Sequence, residues 1–539
     1  MTTIQQRWQG LPAAAGPGAL RVGLLASYTI DPLVPHLGVA LHDAGLPAQL
    51  RVGPYHQIVQ QLLDDAAAMF RLNPDVVVVA PRFEELPEQA DLLRCAAAGL
   101  EATRRRGCRL LFVLPPIPER RPYGVGEAAS PTGAVAGYTT VRELLRERLG
   151  GLAGVDVADA EEAIRQVGAV RAHHPSLFAF ARVPYTDEFF AALGCQLGAA
   201  LRVRYRGACR AVVLDADTLL RDPDGAPRPG ASWLAEPLRD LRAAGVRLAV
   251  RGGRDPDETW DALARALPRL VESDLDGWAV DGRPVDAQVR DLAAGLGVDE
   301  SATVLIAAGG PGPARVSLGD RPEEWPAQLM AAGLFDRLPP RSAGTAPRAA
   351  PRPAEGLVDG SMSGPPHGSA QAYIDSLRVN IAVSEVDGPP SDDMRKVVAR
   401  AKDFTLGLDD AVTAAGSGRR TLIARVSDRL GDYGVSAVIG VREEDPHAVV
   451  DLFSISCAVL GKDVERAVLQ EVVEQVAATG HSEVRLRYRK TGRNQPLVDF
   501  VSAATSHAWP TRTGRELTVR AEPVELGDGD ECGDGTCLT

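Results

Sequence analysis

Residues 211–220 read AVVLDADTLL, and this stretch decides how the middle of the chain folds. Ala211-Val212-Val213-Leu214 is an apolar run of the kind that a parallel sheet buries on both faces. Asp215-Ala216-Asp217 follows, so the strand ends in two carboxylates that alternation turns to one side of its exit loop. Working outward, SWLAEPLRDLRAAG (232–245) reads as a helix and VRLAVRGG (246–253) as a strand. PDETWDALARAL (256–267) and VDAQVRDLAAGLG (285–297) read as helices, and TVLIAAGGPG (303–312) as the next strand and its loop. Strands that alternate with helices predict an α/β layer around a parallel sheet, here residues 209–338.

The same alternation precedes it. LRVGLLASYT (20–29), QLRVGPY (49–55), PDVVVVAP (74–81) and CRLLFVLPP (108–116) read as strands, with helical spacing in PLVPHLGVALHDAGL (32–46). Residues 18–208 therefore form a first α/β domain. Ligands of such sheets lie beyond the carboxyl ends of the strands, which puts Ser27, Gly53, Arg82 and Pro115 on one rim. Residues 339–370 are dominated by Pro, Ala, Gly and Ser and read as a linker with little core to bury. In residues 371–515 the strands are RTLIARVSDRL (420–430), GVSAVIGVRE (434–443), AVVDLFSISCAV (448–459) and SEVRLRYRK (482–490). One helix, DVERAVLQEVVEQVAAT (463–479), is inserted among them, the pattern of an α+β domain. Residues 516–539 read as an acidic, disordered tail. Its Cys532 and Cys537 have a spacing that matches no metal motif.

Composition excludes several classes. The chain has 539 residues, a net charge of -12 and 45% hydrophobic residues, which suits several soluble globular domains. A net acidic surface argues against nucleic-acid binding, which needs clustered Lys and Arg to displace counterions, and against docking on an anionic membrane. No apolar run reaches the roughly 18 residues of a membrane span, and MTTIQQRWQG lacks the pattern of a signal peptide. The expected location is cytoplasmic. Seven cysteines are too few for a disulfide framework. The only lysines are Lys396, Lys402, Lys462 and Lys490, so the 209–338 domain has none.

An Asp-x-Asp at the end of a strand can supply a nucleophile for phosphorus and a second carboxylate that moves a proton or helps to hold Mg²⁺. It can equally be a solvated turn. The stretch resembles the first motif of haloacid-dehalogenase-like (HAD) phosphatases, which implies Asp215 as nucleophile, Asp217 as acid/base and both as weak metal ligands. The other motifs of that family depart here. The Ser or Thr after the second strand is replaced by Arg251-Gly252-Gly253, whose amides remain able to hold an anion. The Lys position falls near Val285, with Arg283 nearby, and Arg is not a drop-in replacement. The Mg²⁺-binding Asp after the last strand is replaced by Ala307-Ala308, which removes carboxylate oxygens that a hard cation needs.

The order of longer stretches carries a wider resemblance. RVGLLASYTIDPL (21–33), VGPYHQ (52–57), NPDVVVV (73–79), FARVPYTDEFFAALG (180–194) and VVLDADTLL (212–220) are similar to the FkbH-like family. So are RLGDYGVSAVIGV (429–441) and ISCAVLGKDVERAVL (455–469). The resemblance implies an SGNH-hydrolase-like first domain, a HAD-like centre and a GNAT-like last domain. It implies loading of a glyceryl-type acyl unit from 1,3-bisphosphoglycerate, a small phosphorylated acyl donor, onto an acyl carrier protein, in polyketide-type antibiotic biosynthesis. It makes Cys457 the thiol that carries the acyl group as a thioester; a cysteine at a strand end also packs as a small hydrophobe.

Where the acetyltransferase-like loop has Arg or Gln, two residues, Gly, one residue and Gly, this chain has Ala458, Gly461 and Asp463. Gly461 and Lys462 remain as candidates to hold a pantetheine phosphate. Ser27 stands where SGNH hydrolases keep their nucleophile, and His173 or His174 where a base can lie. The Gly-Asp-Ser wording is missing, and a structural Ser is the alternative. Tyr28, Tyr55 and Arg82 share that rim and can line a ligand pocket. Two further functions stay open: acyl transfer or condensation without dephosphorylation, and a non-catalytic scaffold for a carrier or partner enzyme.

Overall fold

A computed structural model describes residues 3–12, 14, 18–64, 66–86, 88–221, 226, 228–253, 255–268, 270–308, 315–338, 370–386, 388–401, 403–406, 419–491 and 494–524. The linker reading (through residue 369) and the Cys532/Cys537 tail lie outside the described residues. Among the described residues the protein is a multidomain α/β chain with three sheets. Its packing forms two compact units, Met1–Ala19 with Pro35–Ala48 and Ala191–Ala343, and Leu20–Val34 with Gln49–Phe190 and Gly344–Thr539. The expected boundary at 208 therefore shifts. Most of the helix Asp187–Arg206 goes with the central domain, and the first and last domains share one unit.

In the second unit, β1 (Leu20–Ala26), β2 (Ala48–Val52), β3 (Val76–Ala80), β4 (Arg109–Leu114) and β5 (Val155–Asp159) form a sheet in the order β2-β1-β3-β4-β5. Pairing along β1-β3-β4-β5 is parallel, with Leu24 opposite Val78 and Val78 opposite Leu111. β3 is Val-Val-Val-Val-Ala and is buried along its whole length, as a two-faced parallel strand requires. The strand order reverses between β1 and β3, and a crevice opens at such a switch point beyond the strand ends.

The last domain adds β11 (Asn380–Glu385), β12 (Arg419–Asp428), β13 (Gly431–Glu444), β14 (His447–Ile455), β15 (Glu483–Tyr488), β16 (Ala508–Pro510) and β17 (Glu516–Pro523), in the order β11-β12-β13-β14-β15-β17-β16. β17 pairs in parallel with β15, so the domain runs through Pro523 and the tail does not begin at 516. The helices Val464–Ala478 and Gln495–Ala504 bury Val468, Val472 and Val501 against this sheet. Within the same unit Arg429 holds Asp91, which is 1% exposed, with bonds of 2.8 and 3.0 Å, and the Gln57 amide donates to the Leu460 carbonyl at 2.8 Å.

In the first unit, β6 (Ala211–Asp215), β7 (Arg247–Gly252), β8 (Gly277–Val280), β9 (Thr303–Ala308) and β10 (Arg315–Leu318) form a wholly parallel sheet in the order β10-β9-β6-β7-β8. Trp325, Leu238 and Leu248 are fully buried in its core. β8 and β10 have four residues each, too short for the sequence pattern to reveal. Among the described residues no helix is long and apolar enough to cross a membrane.

Candidate functional site

The Asp215/Asp217 pair lies where expected, at the carboxyl end of β6, but one arginine already holds both carboxylates. Asp215 has only 4% of its side chain exposed, and the Arg251 guanidinium meets it at 2.7 Å through the same nitrogen that lies 3.3 Å from Asp217. Arg251 also donates through Nε to Gln288 at 2.8 Å, and Gln288 donates to the Gly252 carbonyl and to Asp281. The Gly253 amide, expected to be free for an anion, donates to Asp217 at 2.8 Å. Arg283 is turned the other way, onto Asp281 and Asp291 at 2.6 and 2.5 Å. Two carboxylates with an arginine between them, and Ala308 at the third position, do not fit Mg²⁺, a hard cation that takes an octahedron of oxygens. Among the described residues no three His, Cys, Asp or Glu side chains gather as metal ligands. Arg251 is the residue that sequence reading missed. Its signal was an Arg at the end of the second strand of a domain without lysine.

Cys457 follows β14, opens a short 3-10 turn (Cys457–Val459) and is half-buried. Burial pushes its thiol up to about 11, and the Asp403 and Asp31 charges add to this. The loop expected to hold a phosphate is filled by the chain itself. The Gly461 amide donates to the buried Glu465 carboxylate at 3.3 Å, and Asp463 caps the helix Val464–Ala478 in a left-handed conformation with φ 60°. Lys462 does not face solvent: it bonds Asp428 and the Tyr433 hydroxyl, both at 2.7 Å, with its side chain 1% exposed. Lys462 is thus held in a buried ion pair, and the Gly461 amide is engaged by Glu465.

β14 and β15 pair only at Ala448–Val484, Val449–Arg485 and Val450–Leu486, and past these the strands part. Residues 404–406 bridge the opening, with the Ile455 amide donating to the Phe404 carbonyl at 3.1 Å and the Arg489 amide to the Leu406 carbonyl at 2.7 Å.

The rim of the first sheet differs. Ser27 is buried and its hydroxyl accepts the Arg82 amide at 2.9 Å; among the described residues no histidine nitrogen bonds that hydroxyl. His173 and His174 contact Glu119 and the Leu177 amide, so no nucleophile-base pair forms. His56, in a left-handed turn with φ 57°, has Nδ1 at 3.2 Å from the Ser27 carbonyl. Burial first and Lys462 second hold that imidazole down to about 4, so it is neutral and a poor base. Arg82 is buried beneath the rings of Tyr28, Phe178 and Tyr185, at 6.0, 5.4 and 5.1 Å, and pairs with Glu84 and Glu85 at 2.8 and 2.7 Å. Tyr55 packs against the core of the last domain, and the Glu85, Arg182, Arg82 and Cys457 charges all act on its hydroxyl. Burial drives the Glu85 carboxyl up to about 7. A carboxyl that is easier to protonate when folded contributes stability at low pH that is lost as pH rises from 4.5 to about 7. Glu85→Gln is therefore expected to gain in melting temperature on the parent across that window; a constant difference would refute the shift.

No protein-family model matches the chain, and no curated protein matches its sequence. Solved structures give distant likenesses. One is the N-terminal part of the protein BF1531 from Bacteroides fragilis, containing a phosphatase domain complexed with Mg, at 14% identity over 64% of this chain and 100% of that one, with a TM-score of 0.49. Another is the ribosomal-protein-S18-alanine N-acetyltransferase of Escherichia coli, at 11% identity over 28% of this chain and 98% of that one, with a TM-score of 0.19. The fold assignment thus rests on the strand orders and registers above.

Proposed function

We propose that this chain is an FkbH-like protein of polyketide-type biosynthesis that handles an acyl group as a thioester and no longer removes phosphate. The reading is supported by one contrast. Arg251 pairs with both carboxylates, while Cys457 stays half-exposed at the end of β14. An acyl carrier protein is the proposed partner, and its pantetheine thioester, in place of an acyl phosphate, the donor. In the step, the Cys457 sulfur attacks the thioester carbonyl and gives up its proton. The carrier sulfur leaves and takes up that proton. A carrier acyl thioester and Cys457–SH thus become a Cys457 acyl thioester and a carrier thiol.

The test is intact-protein mass spectrometry after mixing with glyceryl- and other acyl-loaded carriers. The parent and Asp215→Asn should gain the acyl mass, and Cys457→Ser should not. Equal labelling of the two variants, or none of the parent, removes the reading.

A second reading, a non-catalytic scaffold, is favoured by the self-filled loop at Glu465 and the strand opening bridged by residues 404–406. It predicts carrier capture by the parent and by Cys457→Ser alike, with no acyl mass on either.

A further inference from the structure

Arg251 pairs the Asp215/Asp217 carboxylates, and residues 404–406 bridge the opening between β14 and β15. The rim between β1 and β3 holds a cluster of unpaired groups. Three polar atoms there are buried and have no hydrogen-bond partner: Arg82 Nε, the Tyr185 hydroxyl and Glu85 Oε2. A buried polar group without a partner has lost its water and gained nothing in return, so three in one cluster call for an occupant.

The three belong to one cluster. Arg82 and Glu85 are joined by a 2.7 Å bond through Glu85 Oε1, leaving Oε2 over. The Tyr185 ring lies 5.1 Å from the guanidinium, and the charges of Arg82, Glu84 and Glu85 all act on its hydroxyl. The cluster sits at the exits of β1 and β3, where the strand order reverses and crevices open in such sheets.

The donors define the ligand. Arg82 Nε and Tyr185 each offer a hydrogen, and Glu85 Oε2 offers a third when protonated. Three donors, one of them on the guanidinium that Glu84 also pairs, match the oxygens of a carboxylate. The aromatic walls, Tyr28, Phe178 and Tyr185, suit an organic body more than a fully hydrated inorganic ion. We propose that this rim binds a small organic monocarboxylate, with Arg82, Tyr185 and protonated Glu85 as its donors. This site is independent of the acyl-transfer reading, since a free acid needs neither Cys457 nor a carrier.

Binding then couples to a proton. The groups that face Glu85 are Arg82 and Glu84 on its own loop, Arg182 on the loop after the helix Pro175–Ala181, and the Tyr55 and Tyr185 hydroxyls. The carboxyl titrates near about 7, so affinity rises as pH falls through neutrality and binding takes up a proton.

The experiment is calorimetry on the full chain with acetate, propionate and lactate at pH 6 and 8.5, with inorganic phosphate as comparison. Saturable carboxylate binding that is several-fold tighter at pH 6 is expected. Tyr185→Phe, which removes an unpaired hydroxyl and so leaves the fold intact, should weaken it roughly tenfold. Glu85→Gln keeps a donor at every pH and should bind with no pH dependence. No saturable carboxylate binding at pH 6 overturns the site. So do unchanged affinity in Tyr185→Phe, which would mean that this hydroxyl does not meet the ligand, and tighter binding of phosphate than of any carboxylate. Cys457→Ser should bind as the parent does, so failure of the thioester reading leaves this result standing.

Discussion

Arg251→Ala is expected to lower the stability of the central domain by about 3–5 kcal/mol, the cost of leaving a buried charge without its partner. Arg251 is 7% exposed and is shared by Asp215, Asp217 and Gln288. Alanine strands the Asp215 carboxylate in a site from which water is excluded, and it frees the Gln288 oxygen. The loss is read as a fall in the urea midpoint followed by tryptophan fluorescence, because four of the six tryptophans (Trp233, Trp260, Trp278 and Trp325) lie in this domain. Asp215→Asn with Arg251→Met removes both charges together and should recover most of the loss, since an uncharged pair has no desolvation debt. A single variant as stable as the parent would show that the ion pair does not hold the site. Mg²⁺ added to the parent should leave the melting temperature unchanged, because Arg251 already sits between the carboxylates. A Mg²⁺-dependent rise would mean that the metal displaces it.

Lys462→Met is expected to cost a similar amount, about 3–5 kcal/mol, in the last domain. Lys462 and Asp428 are 1% and 0% exposed, and the ammonium also lies 4.2 Å from the centre of the Tyr433 ring. Methionine fills the same volume but leaves Asp428 buried with only the Leu430 and Gly431 amides and the Tyr433 hydroxyl. Burial lowers the lysine's own affinity for its proton, which shows how much the pairing must offset. A second readout separates this from a phosphate-binding role. Lys462 helps to hold the His56 imidazole down, so its loss should raise the His56 titration seen by NMR. If Lys462→Met instead unfolds at the parent's midpoint and fails only to bind phosphopantetheine, the structural role is wrong.

Much of the framework was legible in the chain. AVVLD, VVVVA and RLLFVL announce parallel strands because a two-faced strand must be apolar throughout. DVERAVLQEVVEQVAAT announces a helix because its valines recur at the helical period. β11 (Asn-Ile-Ala-Val-Ser-Glu) and the short β8 escaped, since an exposed edge strand needs few apolar residues. β17 escaped because its acidic, alternating residues resemble the tail they precede.

The candidate residues divide in the same way. Asp215, Asp217, Cys457, Ser27 and Arg82 were nameable from their places at strand ends. What each does depends on neighbours distant along the chain. Arg251 is 36 residues from Asp215 yet bonds it at 2.7 Å. Lys462 was read as a candidate to hold a pantetheine phosphate and is buried on Asp428, and Glu465 takes the amide of Gly461.

The sequence by itself determined the strand-helix alternation, the positions of the carboxylates and thiol at strand ends, and the absence of the lysine and aspartates that phosphoryl transfer needs. These follow from local pattern and residue chemistry. Only the tertiary structure decided that Arg251 pairs with both Asp215 and Asp217, that the first and last domains share one unit, and that Arg82, Tyr185 and Glu85 keep unpaired atoms at a single rim. Charge pairing and burial are properties of side chains brought together across the fold, and local sequence pattern does not encode which ones meet.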